Sequence, residues 1–202
     1  MGMIPNPLQP DADRRTVVWW SVATLIANTG IIVTGGLVRL TGSGLGCPTW
    51  PRCTEESFVP HGELGFHGVI EFGNRLLTYV LIAVVVATAI AVRRWSATTP
   101  SLRRLSVVIA AGVPLQGVIG GITVLTQLNP WIVSLHLILS LVLVALSVLL
   151  VLRVRGDEAS VATSPLVLAV YGATWVAVYL GTIVTGAGPH AGDLEAPRNG
   201  LD

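Results

Sequence analysis

Four polar side chains crowd the start of an otherwise apolar run, His67-Gly68-Val69-Ile70-Glu71-Phe72-Gly73-Asn74-Arg75. Spacings of four, three and seven put His67, Glu71 and Asn74 on one face of a helix, with Arg75 beside that face. A carboxylate one turn into an apolar helix is costly to place and marks a site by default. The structural alternative sets His67 at the interface and pairs Glu71 with Arg75 or Arg39. A second apolar run, Trp131 to Leu139, holds a single ionisable residue, His136, at a depth comparable with Glu71. A neutral imidazole there can bind a metal through one nitrogen while donating from the other. It can equally hydrogen-bond a neighbouring helix, such as one presenting Gln116. Set opposite a Glu, a His and an Arg on another helix, His136 reads as a ligand of a heme iron. His61 and His190 fall in polar segments, where solvation is the ordinary fate of a histidine.

Cys47 and Cys53, the only cysteines, have five residues between them in the stretch GGLVRLTGSGLGCPTWPRC, residues 35–53. The spacing is too wide for a CxxC motif, and two cysteines alone cannot hold a structural zinc. A short-loop disulfide is expected, either redox-active or a structural staple. Gly35 and Gly36 are expected to let the preceding helix approach its neighbours. Gly42, Gly44 and Gly46 release the chain into a tight turn, and Pro48 and Pro51 stiffen it.

The elements that must carry these residues follow from composition. Of 202 residues, 52% are hydrophobic and 11% charged, with mean hydropathy +0.73, whereas a soluble domain is about a quarter charged. The charges cluster and leave apolar runs of roughly the 20 residues a bilayer requires. The expected class is an all-α integral membrane protein with spans at 17–39, 67–92, 105–126, 131–152 and 163–185. A polar leader, 1–16, precedes the first span, which is longer than a signal-peptide core and is expected to be retained. Arg14, Arg15, Arg93, Arg94, Arg103, Arg104, Arg153 and Arg155 fall on one side, and Glu55, Glu56, Glu63, Asp193 and Glu195 on the other. The positive-inside rule then puts the N-terminus in the cytoplasm, with loop 40–66 and the tail outside. Gly30-Ile31-Ile32-Val33-Thr34-Gly35-Gly36 is echoed by Gly181-Thr182-Ile183-Val184-Thr185-Gly186-Ala187. Either small residues ease helix packing at both places, or the chain is a four-helix unit, 17–152, followed by the first helix and outer loop of a repeat, 163–202, that breaks off early.

With GGLVRLTGSGLGCPTWPRC, HGVIEFGNRL, LHLILSL and GTIVTGAGPHAGD in this order over nearly the whole chain, the sequence resembles the heme A synthase family, in its bacterial, actinobacterial form. The resemblance implies an oxidoreductase that converts the C8 methyl of heme O to a formyl group, by successive hydroxylations and loss of water, to make heme A for cytochrome oxidase. It implies eight transmembrane helices in two four-helix halves, with heme O received in the first half and a heme b cofactor held by histidines of the second. Glu71 then corresponds to the catalytic glutamate, and His136 to an axial ligand of the first-half heme. Cys47 and Cys53 correspond to an outer disulfide. Arg39 and Arg75 would meet the propionates as charge-assisted partners or snorkel to the headgroups. Heme O synthase, membrane lipid, an electron acceptor and a further copy of the chain are the partners this reading admits; nucleic acid is not among them. It makes the chain a truncated enzyme able to bind heme without turnover, localised to the plasma membrane. Other classes that fit are a b-type heme electron carrier and a small proton-coupled transporter using Glu71.

The resemblance departs at Asn74, where many members have a histidine three residues after the glutamate. Asn is a poor heme ligand, so either His67 substitutes from an earlier turn or the iron is five-coordinate. If His67 substitutes, His67→Ala should alter the heme absorption spectrum of the full-length protein; a spectrum identical to wild type removes His67 from the ligand set.

Overall fold

The computed structural model describes residues 12–61, 64–157, 164–188, 192–193 and 196–197. Leader residues 1–11 and Glu63, His190 and Glu195 lie outside the described residues. Five helices follow in order: α1 (Arg14–Leu40), α2 (Gly65–Arg94), α3 (Pro100–Leu125), α4 (Pro130–Arg155) and α5 (Pro165–Ala187). All five are long and apolar enough to cross a membrane, and the described residues contain no strand. At about 1.5 Å per residue, even α5 with its 23 residues exceeds a hydrocarbon core of about 30 Å. The chain is an all-α, multi-pass membrane protein.

Local chemistry sets the helix starts. Asp13 caps α1 by accepting from the Thr16 amide at 2.7 Å, a bond that holds its carboxyl below the ordinary range. Thr99, Asn129 and Ser164 cap α3, α4 and α5, each directly followed by proline at the first helical position. Proline there forfeits an amide that would be unpaired anyway. At the end of α4, Gly156 takes a left-handed φ of 73°, the usual glycine terminator.

α1 packs on α2 and α4, α2 on α3 and α3 on α4, closing a ring; α5 rests on α4. Short connections make α2, α3 and α4 successively antiparallel, and a longer segment between Leu40 and Gly65 joins α1 to α2. At one end, the Ala12 amide donates to the Arg94 carbonyl. There too Arg14 donates to the Val154 and Arg155 carbonyls at the C-terminus of α4, where a cation also meets the negative end of the helix dipole. At the other end, the Gly44 amide donates to Gly192 O at 2.9 Å, and a Cβ at Gly44 would press on Leu128. Three connections therefore interlock over the loop end.

The interior is divided lengthwise. Val17, Leu81, Val85, Val92, Ile109, Val113, Leu143, Leu150 and Val154 form one buried apolar cluster that fills the arginine end and the middle. It stops at Leu81, Val113 and Leu143, and beyond these the helices present Thr78, Gln116 and His136 instead. Polar links also tie the ring within its middle. Thr24 and Thr88 share a 2.7 Å hydroxyl bond between α1 and α2, and Asn28 donates to Ser147 of α4 at 3.4 Å.

The expectation for Gly35 and Gly36 is corrected. A Cβ at either, or at Gly30 or Gly181, would meet nothing within 4 Å, so those glycines bring no helix closer. Among the echoed glycines Gly186 does, its face lying against Pro130. Among the described residues a packing contact at the echoed glycines is seen at Gly186 alone.

If the hydroxyl bridge holds α1 to α2, Thr24→Val and Thr88→Val should be non-additive. A double-mutant cycle followed by denaturant unfolding should return a coupling of about 0.5–1.5 kcal/mol, and strict additivity would remove the bridge from the account.

Candidate functional site

His67, Glu71 and Asn74 do share one face of α2, and that face is turned to α1 and the loop that follows it. Asn74 Oδ1 accepts from the Thr34 hydroxyl of α1 at 2.7 Å. His67 is exposed at the helix start, its Nδ1 2.9 Å from the Ser43 hydroxyl. Between them Glu71 is buried, with both carboxylate oxygens hydrogen-bonded. Its Oε2 accepts from the Cys47 amide. Its Oε1 accepts from Arg75 Nε at 2.9 Å and from Arg75 Nη2. The ion pair left open as a structural alternative is therefore formed, with Arg75 rather than Arg39.

Arg75 does more than neutralise Glu71. Its Nη2 donates to Cys47 O at 2.9 Å and its Nη1 to Arg52 O at 3.1 Å. The two carbonyls belong to the loop closed by the Cys47–Cys53 disulfide, and both cysteines are fully buried. A charged pair on α2 thus grips the disulfide loop by its backbone at Cys47 and at Arg52. Glycine makes the approach feasible. A Cβ at Gly46 would fall on the His67 carbonyl, and one at Gly68 would sit 3.2 Å from Gly46 O.

The loop also reaches across the bundle. Gly117, Gly120 and Gly121 line one face of α3 at spacings of three and four. A Cβ at Gly117 would meet Thr78 of α2 at 3.6 Å and one at Gly120 would meet His136 Cε1 of α4 at 3.4 Å. One at Gly121 would coincide with the Trp50 indole. α3 is thus a smooth wall, with the histidine ring against one glycine and a tryptophan from the loop against the next. Sequence reasoning singled out neither this glycine row nor Trp50. The spacing G-x-x-G-G in an apolar helix was the available signal.

His136 lies in the loop half of the bundle, as its depth implied, but it forms no hydrogen bond to the Glu71 stripe among the described residues. Gln116 does meet it, through the backbone: Gln116 Nε2 donates to His136 O at 3.3 Å. The imidazole Nδ1 and the Gln116 Oε1 are both buried without a partner, and so is Arg39 Nε. Unpaired buried polar atoms cost about 1–3 kcal/mol each, so among the described residues these three leave hydrogen-bonding capacity for a bound group to meet. Among the described residues no three His, Cys, Asp or Glu converge on a metal position. A macrocycle that brings its own equatorial ligands asks only for an axial imidazole, a flat apolar wall and a cation for its carboxylates. The unpaired His136 imidazole and Arg39 fit two of these requests, while the glycine row is covered by Trp50, the His136 ring and Thr78.

Because Glu71 is buried and its charge is answered by the half-buried Arg75, Arg75→Gln should cost about 3 kcal/mol, and Glu71→Gln/Arg75→Gln should recover part of it. Equal losses in the single and double variants, read by thermal unfolding, would mean the charges are not coupled.

A family model described as cytochrome oxidase assembly protein, COX15-CtaA, matches residues 18–66 and 62–192. A heme A synthase of Geobacillus thermodenitrificans is 30% identical over 75% of this chain and 46% of its own length. One from Geobacillus kaustophilus is 33% identical over 65% of this chain and 41% of its own. One from Listeria welshimeri is 29% identical over 82% of this chain and 57% of its own. The chain spans about half the length of the curated relatives it matches. No solved structure matches it. With the family model covering most of the five helices, the chain belongs to the COX15-CtaA family of cytochrome oxidase assembly proteins.

Proposed function

We propose that this chain is the heme O-receiving half of a heme A synthase, an oxidoreductase that converts the C8 methyl of heme O to the formyl group of heme A. The observation that carries the reading is the unpaired His136 imidazole against the glycine wall of α3, at the same end of the bundle as the buried Glu71. The relatives' shared naming supports the activity. In this reading α5 opens a second four-helix unit whose histidines hold a heme b, so that eight helices make the whole enzyme. Oxidising a methyl to a formyl group adds one oxygen atom, at the level of water, and releases protons and electrons, the latter to an acceptor outside the chain. Heme O synthase is the natural donor of the substrate, and a further copy of the chain is a second partner this reading admits. The arginine-rich end faces the cytoplasm and the disulfide loop the outside of the plasma membrane.

Each residue then has a task the geometry makes specific. His136 holds the substrate iron, and the iron, when bound, supplies the redox chemistry near the methyl group. Arg39 meets a propionate with its unpaired Nε, whereas the donors of Arg75 are already committed to Glu71, Cys47 and Arg52. Glu71 is the general base. Its Oε2 accepts a single bond, from the Cys47 amide, and keeps a lone pair that can take a proton. Proton uptake therefore need not release the loop, whose carbonyls stay bonded to Arg75. Asn74, bonded to Thr34, and the exposed His67, bonded to Ser43, position the helix and loop.

Expression of the full-length protein with a source of heme O should accumulate heme A. Glu71→Gln should lower the yield by about a hundredfold, a typical general-base contribution, while retaining heme. His136→Ala should lose the heme O share of the heme absorption and leave that of the heme b. A His136→Ala protein with unchanged spectrum and yield would overturn the assignment.

A further inference from the structure

The basic cluster at the arginine end is not uniform. Arg14 is spent on the carbonyls ending α4, and Arg153 donates to the Ser101 hydroxyl at 3.0 Å. Arg93 and Arg103 are exposed and have no protein acceptor among the described residues. Both line one groove between α2 and α3, with a volume of about 410 Å³.

The groove's shape follows from sequence. Arg93 and Arg103 stand near the ends of their helices, and the groove runs from Arg93 to Val86 on α2 and from Arg103 to Ala110 on α3. Seven residues on each helix give a depth of about 10 Å from the charged mouth. Ala89, Ser106 and Ala110 form its floor and leave it open because their side chains are short. A channel with two unanswered guanidinium groups at a membrane boundary and a narrow apolar floor leading inward matches one kind of molecule. It has a phosphate on a glycerol backbone and an alkyl chain behind it. Basic pockets between transmembrane helices recognise anionic headgroups in this way. Guanidinium forks suit phosphate oxygens. Arginines that merely snorkel would need no groove.

We infer that this groove binds one anionic phospholipid, its phosphate held between Arg93 and Arg103 and the first part of an acyl chain laid along Ala89, Ser106 and Ala110. The site lies at the opposite end of the bundle from Glu71 and His136 and is independent of the heme reading.

The test uses the purified full chain in detergent micelles, titrated with phosphatidylglycerol or phosphatidylcholine and read by native mass spectrometry. Wild type should retain one phosphatidylglycerol in preference to phosphatidylcholine. Arg93→Gln/Arg103→Gln should lose that preference by roughly an order of magnitude or more, while the charge-matched Arg94→Gln/Arg104→Gln keeps it. Ala89→Leu/Ala110→Leu, which fills the floor and spares the arginines, should also lose the lipid. The proposal fails if wild type takes both lipids equally, a comparison that needs no variant. It fails as well if the two arginine pairs behave alike, or if filling the floor leaves retention unchanged.

Discussion

Burying a carboxylate among apolar helices is tolerable only when its charge and its lone pairs are both answered. At Glu71 the answers come from two directions. Arg75, one turn along the same helix, supplies the charge and two donors, and the Cys47 amide supplies the remaining bond. Arg75 also donates to the Cys47 and Arg52 carbonyls, so one side chain both answers the buried charge and holds the loop. Without Arg75, the loop loses these bonds to α2. The disulfide shortens the segment that must be held, and the pair then fixes where that segment sits. Trp50, carried between the two cysteines, reaches the glycine wall of α3 as a consequence.

That arrangement explains why the bundle is packed differently along its length. The arginine end and the middle are filled by interlocked aliphatic side chains, which resist opening because close-packed interiors have little room to adjust. At the loop end glycine, threonine, glutamine and histidine replace them, and three polar atoms remain unpaired. A ring of four helices so divided has a close-packed base and a loop end lined by small and polar side chains. The interhelical hydroxyl and amide bonds at Thr24–Thr88 and Asn28–Ser147 lie within the base. There they lock helix register below the site rather than within it.

Much of this was legible in residue order, for reasons that also mark the limits. The five spans stood out because apolar length is a one-dimensional property, and the caps were within reach because Thr99-Pro100, Asn129-Pro130 and Ser164-Pro165 are local signals. The shared face of His67, Glu71 and Asn74 follows from helical period alone. Their partners did not, since the Cys47 amide lies 24 residues before Glu71 and is placed by the path of an irregular loop. Gln116 was rightly associated with His136, yet it bonds the backbone carbonyl and leaves the ring unpaired. Glycines were the least legible. Gly35 and Gly36 sit in open space, while Gly46, Gly68 and Gly121 are required by contacts that only the folded loop creates. A glycine's lack of a side chain has the same appearance in sequence whether it serves a helix contact, a loop contact or neither.

The division of labour within Arg75 has one more consequence for the proposed chemistry. Glu71 receives Nε and shares Nη2, whereas the loop carbonyls receive Nη1 and Nη2. A proton arriving on Glu71 cancels the attraction between the two side chains and weakens the hold of the Cys47 amide, since a neutral carboxyl is the poorer acceptor. It does not touch the bonds from the always-charged guanidinium to the Cys47 and Arg52 carbonyls. The carboxyl can therefore turn away while the loop stays closed over the bundle. An arginine at this position, with its fork of donors, separates the proton-handling group from the lid it also anchors. A lysine, with one nitrogen on a flexible stem, would have to choose between them.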